Sequence, residues 1–361
     1  HPSGGSALVL HASQDAWFRP LNRVATQDVR RSRLGCDRLP PVDRTGTVPA
    51  RSWLPIWLAL AVIWGSSFLL IKYSLVDFSP LEVAAGRVLL GALTVLTFVF
   101  ARHQRLPRDW RAWLHGAVVG TFLCTLPFLL FAWAETRISS LLAGLFNAGT
   151  PLFTALAGLV IARGDRIGRN RALGLGIGLL GVLLILGVWN GAGGTLTGSL
   201  AAIVATVCYG VGIQWTRQFL TDRPESAESL VAVQLIVAAA CLTLAEALLA
   251  TAIPRPGGSS LLALLALGVL GTGVAFLLNY RVIRIAGALT SSTVTYATPV
   301  VSTVLAILVA GESFSWNQPA GALLVLLGVA LVQGFVRVFA SDQPVSVAPP
   351  SPSESGEVSS T

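Results

Sequence analysis

From residue 54 to residue 339 the chain alternates between apolar segments about twenty residues long and short polar breaks. The segments run approximately 54–76, 81–101, 113–134, 138–162, 172–189, 196–216, 229–251, 260–280, 286–310 and 318–339. Each approaches the roughly 20 residues that a helix needs to cross a bilayer. None shows the alternating pattern of a barrel strand. In hydrocarbon the backbone must close its own hydrogen bonds, so each segment is expected to be a helix. Composition agrees: 53% of the 361 residues are hydrophobic and 12% are charged, against about 25% charged in a soluble domain. The expected fold class is an all-α membrane protein with ten transmembrane helices.

A net charge of +8 therefore does not argue for a nucleic-acid partner, because arginine and lysine collect in the cytoplasmic loops of membrane proteins. With the N-terminus inside, the inner loops hold Arg102, Arg105, Arg108, Arg111, Arg163, Arg166, Arg169, Arg171, Arg217, Arg223, Arg281 and Arg284. The outer side holds only Arg137, Arg255 and Lys72. Both termini are thus expected in the cytoplasm of a cell whose inner membrane carries the protein. Lys72 is the only lysine, a codon signature that points to a GC-rich, bacterial genome. Residues 1–50 and 341–361 are polar and rich in turn formers, and are expected to be disordered cytoplasmic tails. No methionine occurs, even at position 1, so the start is expected to be truncated or misassigned.

The apolar region repeats. Residues 137–187 and 284–334 align with Arg137 on Arg284, Asp165 on Glu312, and Gly174, Gly181 and Gly187 on Gly321, Gly328 and Gly334, always 147 residues apart. Pro151 and Pro299 are 148 apart. The domains expected are 51–190 and 191–340, each of five helices. Five is odd, so the second copy enters the membrane from the opposite side. Such inverted repeats serve alternating access in many secondary transporters.

Four stretches carry a resemblance: WGSSF (64–68), SPLEVAAGRVLL (79–90), AGLFNAGTPLFTALAGLVIARGD (143–165) and ATPVVSTVLAILVAGE (297–312). Together they resemble the EamA-type branch of the drug/metabolite transporter superfamily over residues 54–339. The family pattern usually has Gly-Glu where this chain has Gly164-Asp165. The resemblance implies a small-molecule transporter, with export more frequent than uptake, and an arginine at the position of Arg87. It does not name a substrate.

Arg87 lies about two turns into its span, where a charge needs a cavity or a partner. It is read either as a cation for a substrate carboxylate or phosphate, or as a structural arginine. Gln234 stands 147 residues on, a neutral counterpart. Trp64, Ser67, Tyr209, Tyr296 and Asn147 are further cavity candidates, with Tyr209 answering Trp64 across the repeat. Pro151 and Pro299 each remove a helix hydrogen bond and are read as kinks that help a helix flex. Asp165 and Glu312 are expected to cap the next helix or to pair with an arginine, and Glu135 and Glu246 to be solvated. Gly174-x-x-x-Gly178 permits close helix contact, within the bundle or at a homodimer face.

No HExxH motif, histidine cluster or CxxC pair is present, so no metal, cofactor or enzymatic centre is expected. The functional expectation is a secondary transporter of a small metabolite, amino acid-like or otherwise, or of a drug. A membrane-embedded enzyme and a lipid-handling flippase or scaffold are the alternatives.

Overall fold

A computed structural model describes residues 53–161, 168–186, 193–249, 256–313, 315–336 and 338–339. All regular structure among them is helical. The helices are α1 Leu54–Ser74, α2 Pro80–Ala101, α3 Trp110–Glu135, α4 Ser140–Ile161, α5 Arg169–Leu186, α6 Gly193–Phe219 and α7 Ala227–Leu249. Then come α8, which begins at Gly258 and ends with the segment Ala275–Ser292, α9 Val294–Leu308 and α10 Asn317–Gln333. Eight of these, α1 to α8, are long and apolar enough to cross a membrane; α9 and α10 are shorter apolar helices. Exposed Leu58, Leu93, Val160, Leu262 and Leu323 leave a hydrocarbon surface on the outside of the bundle. Both proposed tails, and Gly164 and Asp165, lie outside the described residues.

Local sequence sets the helix starts. Ser79 caps α2: its Oγ accepts from Glu82 N at 3.3 Å, while Glu82 Oε2 accepts from Ser79 N at 2.6 Å, with Pro80 at the first helical position. Asp109 Oδ1 accepts from Arg111 N at the start of α3, and Ser139 Oγ from Leu142 N at the start of α4. One boundary departs from expectation. Arg281 and Arg284, expected in a loop, lie exposed on α8, and the chain turns only at Thr293. The intervening RVIRIA has no Gly or Pro to stop a helix, and arginine propagates one well.

Helix pairings come in matched sets. α1 packs on α9, and α6 on α4; α3 packs on α7, and α8 on α2; α2 meets α7, and α5 meets α10. Specific glycines make these contacts close. A Cβ on Gly65 would stand 2.5 Å from Val301 of α9, and one on Gly210 would stand 2.5 Å from Phe153 of α4. A Cβ on Gly120 would meet Gln234 O at 2.4 Å, and one on Gly268 would meet Arg87 O at 3.1 Å. Between α5 and α10, Gly174 lies against Gly328, and Gly181 against Gly321, so the two helices run antiparallel. The Gly174 and Gly178 face is therefore used inside the bundle.

α3 and α8 each contain a π-helical turn, Thr121–Thr125 and Val269–Val274. In each, a threonine 147 residues from its counterpart donates five residues back: Thr125 Oγ1 to Gly120 O and Thr272 Oγ1 to Leu267 O, both at 3.3 Å. Such widened turns often mark functional positions. α4 is interrupted at Ala148–Gly149, just before Pro151. The carbonyl that Pro151 leaves unbonded, Asn147 O, accepts from Thr150 Oγ1 at 2.7 Å. Pro299, by contrast, sits inside an unbroken α9.

The two ends of the bundle differ in charge. At the arginine-rich end Arg223 joins two loops, donating from Nη2 to Asp109 Oδ2 at 2.5 Å and from Nε to Glu225 Oε2 at 3.0 Å. The bond from Arg223 holds the carboxyls of both Asp109 and Glu225 below their usual range. A depressed carboxylate pKa adds stability above the unfolded value, lost as pH falls through the folded one. Acidification below about pH 4 should thus lower the melting temperature more in the wild type than in Arg223→Gln, measured by thermal unfolding in detergent. An equal drop in both would show that this cluster adds nothing.

Candidate functional site

Arg87 is 6% exposed on α2. Its Nε donates to Thr272 Oγ1 in the π turn of α8 at 2.9 Å, and its guanidinium carbon stands 3.7 Å from the ring centroid of Phe128 on α3. Close approach of the helices makes this reachable: a Cβ on Gly91 would overlap the Thr272 side chain at 2.6 Å. A hydrogen bond to a charged group contributes about 1.5–3 kcal/mol, and a desolvated cation–π contact about 2 kcal/mol. Together they offset much of the cost of burying the charge. The two Nη groups make no hydrogen bond among the described residues, which leaves donors for a bidentate anionic group.

The other candidates divide by position. Ser67 is buried, donates to Ile63 O at 3.1 Å, and faces Gly271, next to the Thr272 that holds Arg87. Tyr209 stacks on Phe131 at 5.9 Å, and Phe131 meets Phe68 edge-on at 5.5 Å. Tyr209 lies within electrostatic reach of Arg87 and packs against both of the larger apolar clusters. Ser67, Arg87 and Tyr209 are thus brought together: Thr272 bonds to Arg87 beside the Gly271 that faces Ser67, and Phe128, under the Arg87 guanidinium, belongs to the apolar cluster on which Tyr209 packs. Gln234 is buried on α7 against α3, in the setting that Arg87 has against α8. Asn147 sits at the break in α4. Trp64 is half-buried against Leu60, Ala61, Ala275 and Val294, on the side of α1 that faces α8 and α9. Tyr296 is turned elsewhere, meeting Phe335 beyond α10 at 6.3 Å.

A second polar group lies at the arginine-poor end. Glu312, which follows α9, accepts from Lys72 Nζ of α1 at 2.5 Å, and from Ser140 N and Leu141 N at the start of α4 at 3.2 and 2.9 Å. It therefore caps α4 and pairs with lysine, where the following helix or an arginine was expected. α4 begins with free N–H groups and the positive end of its dipole, which favour a carboxylate. Glu135 is also not solvated as expected. It is 9% exposed; Oε2 accepts from Ser140 Oγ at 2.9 Å, and Oε1 has no partner among the described residues. Sequence reasoning misses Thr272, Phe128 and Glu135. The 147-residue register of Thr125 and Thr272 was a readable signal for the first.

The helices form an apolar bundle whose pairings recur in two halves, with the cation Arg87 buried inside it. Residues 51–187 and 196–333 each match the EamA-like transporter family, and the chain belongs to that family. Among its relatives, the uncharacterized inner membrane transporter YedA of Escherichia coli (strain K12) is 25% identical over 292 residues, covering 78% of this chain and 92% of the other. The probable amino-acid metabolite efflux pump of Salmonella typhimurium is 26% identical over 300 residues, covering 78% and 93%. A solved crystal structure superposes with a TM-score of 0.57 at 24% identity, over 79% of this chain and 97% of that one, a likeness of fold. The chain is a multi-pass membrane transporter, not an enzyme.

Proposed function

We propose that the protein moves a small amino acid-like metabolite, another small organic compound or a drug across the inner membrane by alternating access, with export as its working direction. In this reading all ten helices cross the membrane, α9 and α10 included, as two inverted five-helix repeats. The arginine-rich end faces the cytoplasm. Arg87 binds an acidic group of the solute, Tyr209 and Ser67 line its path, and the break at Pro151 lets α4 flex. The observation that supports this best is the matched packing. The Gly65–Val301 contact answers Gly210–Phe153, and Gly120–Gln234 answers Gly268–Arg87, 145 to 148 residues on, so a rocking motion that parts one of these contacts can close its equivalent. The name of the Salmonella relative favours export and an amino acid-like solute.

Counterflow into vesicles reconstituted with the purified protein tests it. Radiolabelled amino acids and drugs are each offered to vesicles preloaded with the same compound, and at least one should accumulate well above protein-free vesicles. Equality across the whole panel would sink the reading. Topology has its own test. A cysteine replacing exposed Val76 should react with a membrane-impermeant maleimide in intact cells, whereas one replacing Arg108 should react only after permeabilisation. The reverse pattern would invert the assignment.

A further inference from the structure

We propose that Glu135 is the proton-binding group of this transporter, and that its proton decides whether the arginine-poor end is held shut. The proposal rests on the transport reading. It starts from a carboxyl that is nine-tenths buried, with one oxygen bonded to Ser140 Oγ and the other unpartnered among the described residues. A buried carboxylate oxygen without a donor is costly, and the neutral acid escapes that cost. The charged groups around it are Lys72 from α1, Arg87 from α2 and Glu312 from the segment after α9. α4 contributes the Ser140 hydroxyl, and α6 approaches through Gly198, which packs against Ala134, and the neighbouring Ser199; neither is charged. Arg137, on the adjoining turn, is exposed and stacks on Trp133 at 3.6 Å.

Two cations and one anion thus surround Glu135, so its proton sets the local charge at +1 or at zero. Ser140 links the two carboxyls, its N–H donating to Glu312 and its hydroxyl to Glu135. When Glu135 is ionised it repels Glu312 across Ser140 and competes for Lys72. The tie that joins α1, α9 and α4 then loosens. When Glu135 takes a proton from water at that end, forming an O–H bond, the competition ends and the Lys72–Glu312–α4 tie holds. Lys72 is partly exposed and gives water its route in. The same proton leaves to the opposite side after the bundle has switched. Proton uptake at one face would thereby close it and drive solute outward.

The first test needs no solute. Infrared difference spectra of the purified full chain between alkaline and mildly acidic buffer should show a protonated-carboxyl stretch. Glu135→Gln should remove that band, Glu135→Asp should restore it at a shifted position, and Glu312→Gln should keep it. Persistence of the whole band in a folded, monodisperse Glu135→Gln protein overturns the proposal. The second test is amino acid counterflow over the same pH range. Wild-type flux should change several-fold with pH, and Glu135→Gln flux should be low and flat. A Glu135→Gln profile that follows the wild type overturns the coupling role. Absence of flux for every solute in the wild type would instead count against transport itself, while the infrared result still decides where the proton binds.

Discussion

Arg87→Ala should lower flux at least ten-fold, or shift it from acidic to neutral solutes, while the protein still inserts and purifies as a folded species. The substitution removes the one charged side chain among Ser67, Arg87, Phe128, Tyr209 and Thr272. It also removes the bond to Thr272 and the contact with Phe128. Part of what is lost was opposing burial, so the folded state is penalised less than a contact tally suggests. Arg87→Lys is the sharper variant. Lysine keeps the charge but lacks the planar fork that grips a carboxylate with two parallel bonds. It should recover little flux if recognition is bidentate, and most of it if charge alone matters. Wild-type counterflow from Arg87→Ala, across acidic and zwitterionic solutes, would reduce Arg87 to a structural role.

The largest effect on stability is expected at the α5–α10 seam. A Cβ on Gly328 would stand 2.5 Å from Gly178 N and 2.6 Å from Gly174 O; one on Gly181 would stand 2.7 Å from Gly321 O. These neighbours are backbone, which cannot rotate away as a side chain can. Overpacking of this sort costs about 1–3 kcal/mol or more, and a leucine costs more than an alanine. Gly328→Leu should therefore leave little folded protein, and Gly328→Ala should lower the melting temperature by several degrees in a detergent-based unfolding assay. Gly176, with nothing within 4 Å of an added Cβ, is the control and should tolerate alanine. If Gly328→Ala melts with the wild type, the two helices are not pressed together as described.

The helical class and most helix positions are legible in the sequence, because hydrocarbon demands long apolar runs and the caps at Ser79, Asp109 and Ser139 punctuate them. The repeat is legible for a similar reason: close helix contacts require glycine, and a twofold arrangement requires it twice. The boundary near Arg281 is not, since two arginines read as a loop by charge and as a helix by propensity, and only packing decides. At the site, a lone arginine in an apolar span draws attention, but its partners come from α3 and α8, 41 and 185 residues away in the chain. Glu135 is misread because nearness to a span end suggests water. Its burial depends on α1, α4 and the segment after α9 closing over it, contacts that no local pattern encodes. The partner of Glu312 is hidden in the same way, 240 residues distant.

Lys72 has a practical consequence. Among the 361 residues it is the only lysine, and every other formally cationic side chain is an arginine. An acylating dye thus reaches one internal address, and that address is an ion pair. Dye attachment there converts an ammonium into a neutral amide and frees Glu312 from it. The extent of labelling in any given condition becomes a chemical record of how often the pair comes apart, obtained without introducing a single mutation.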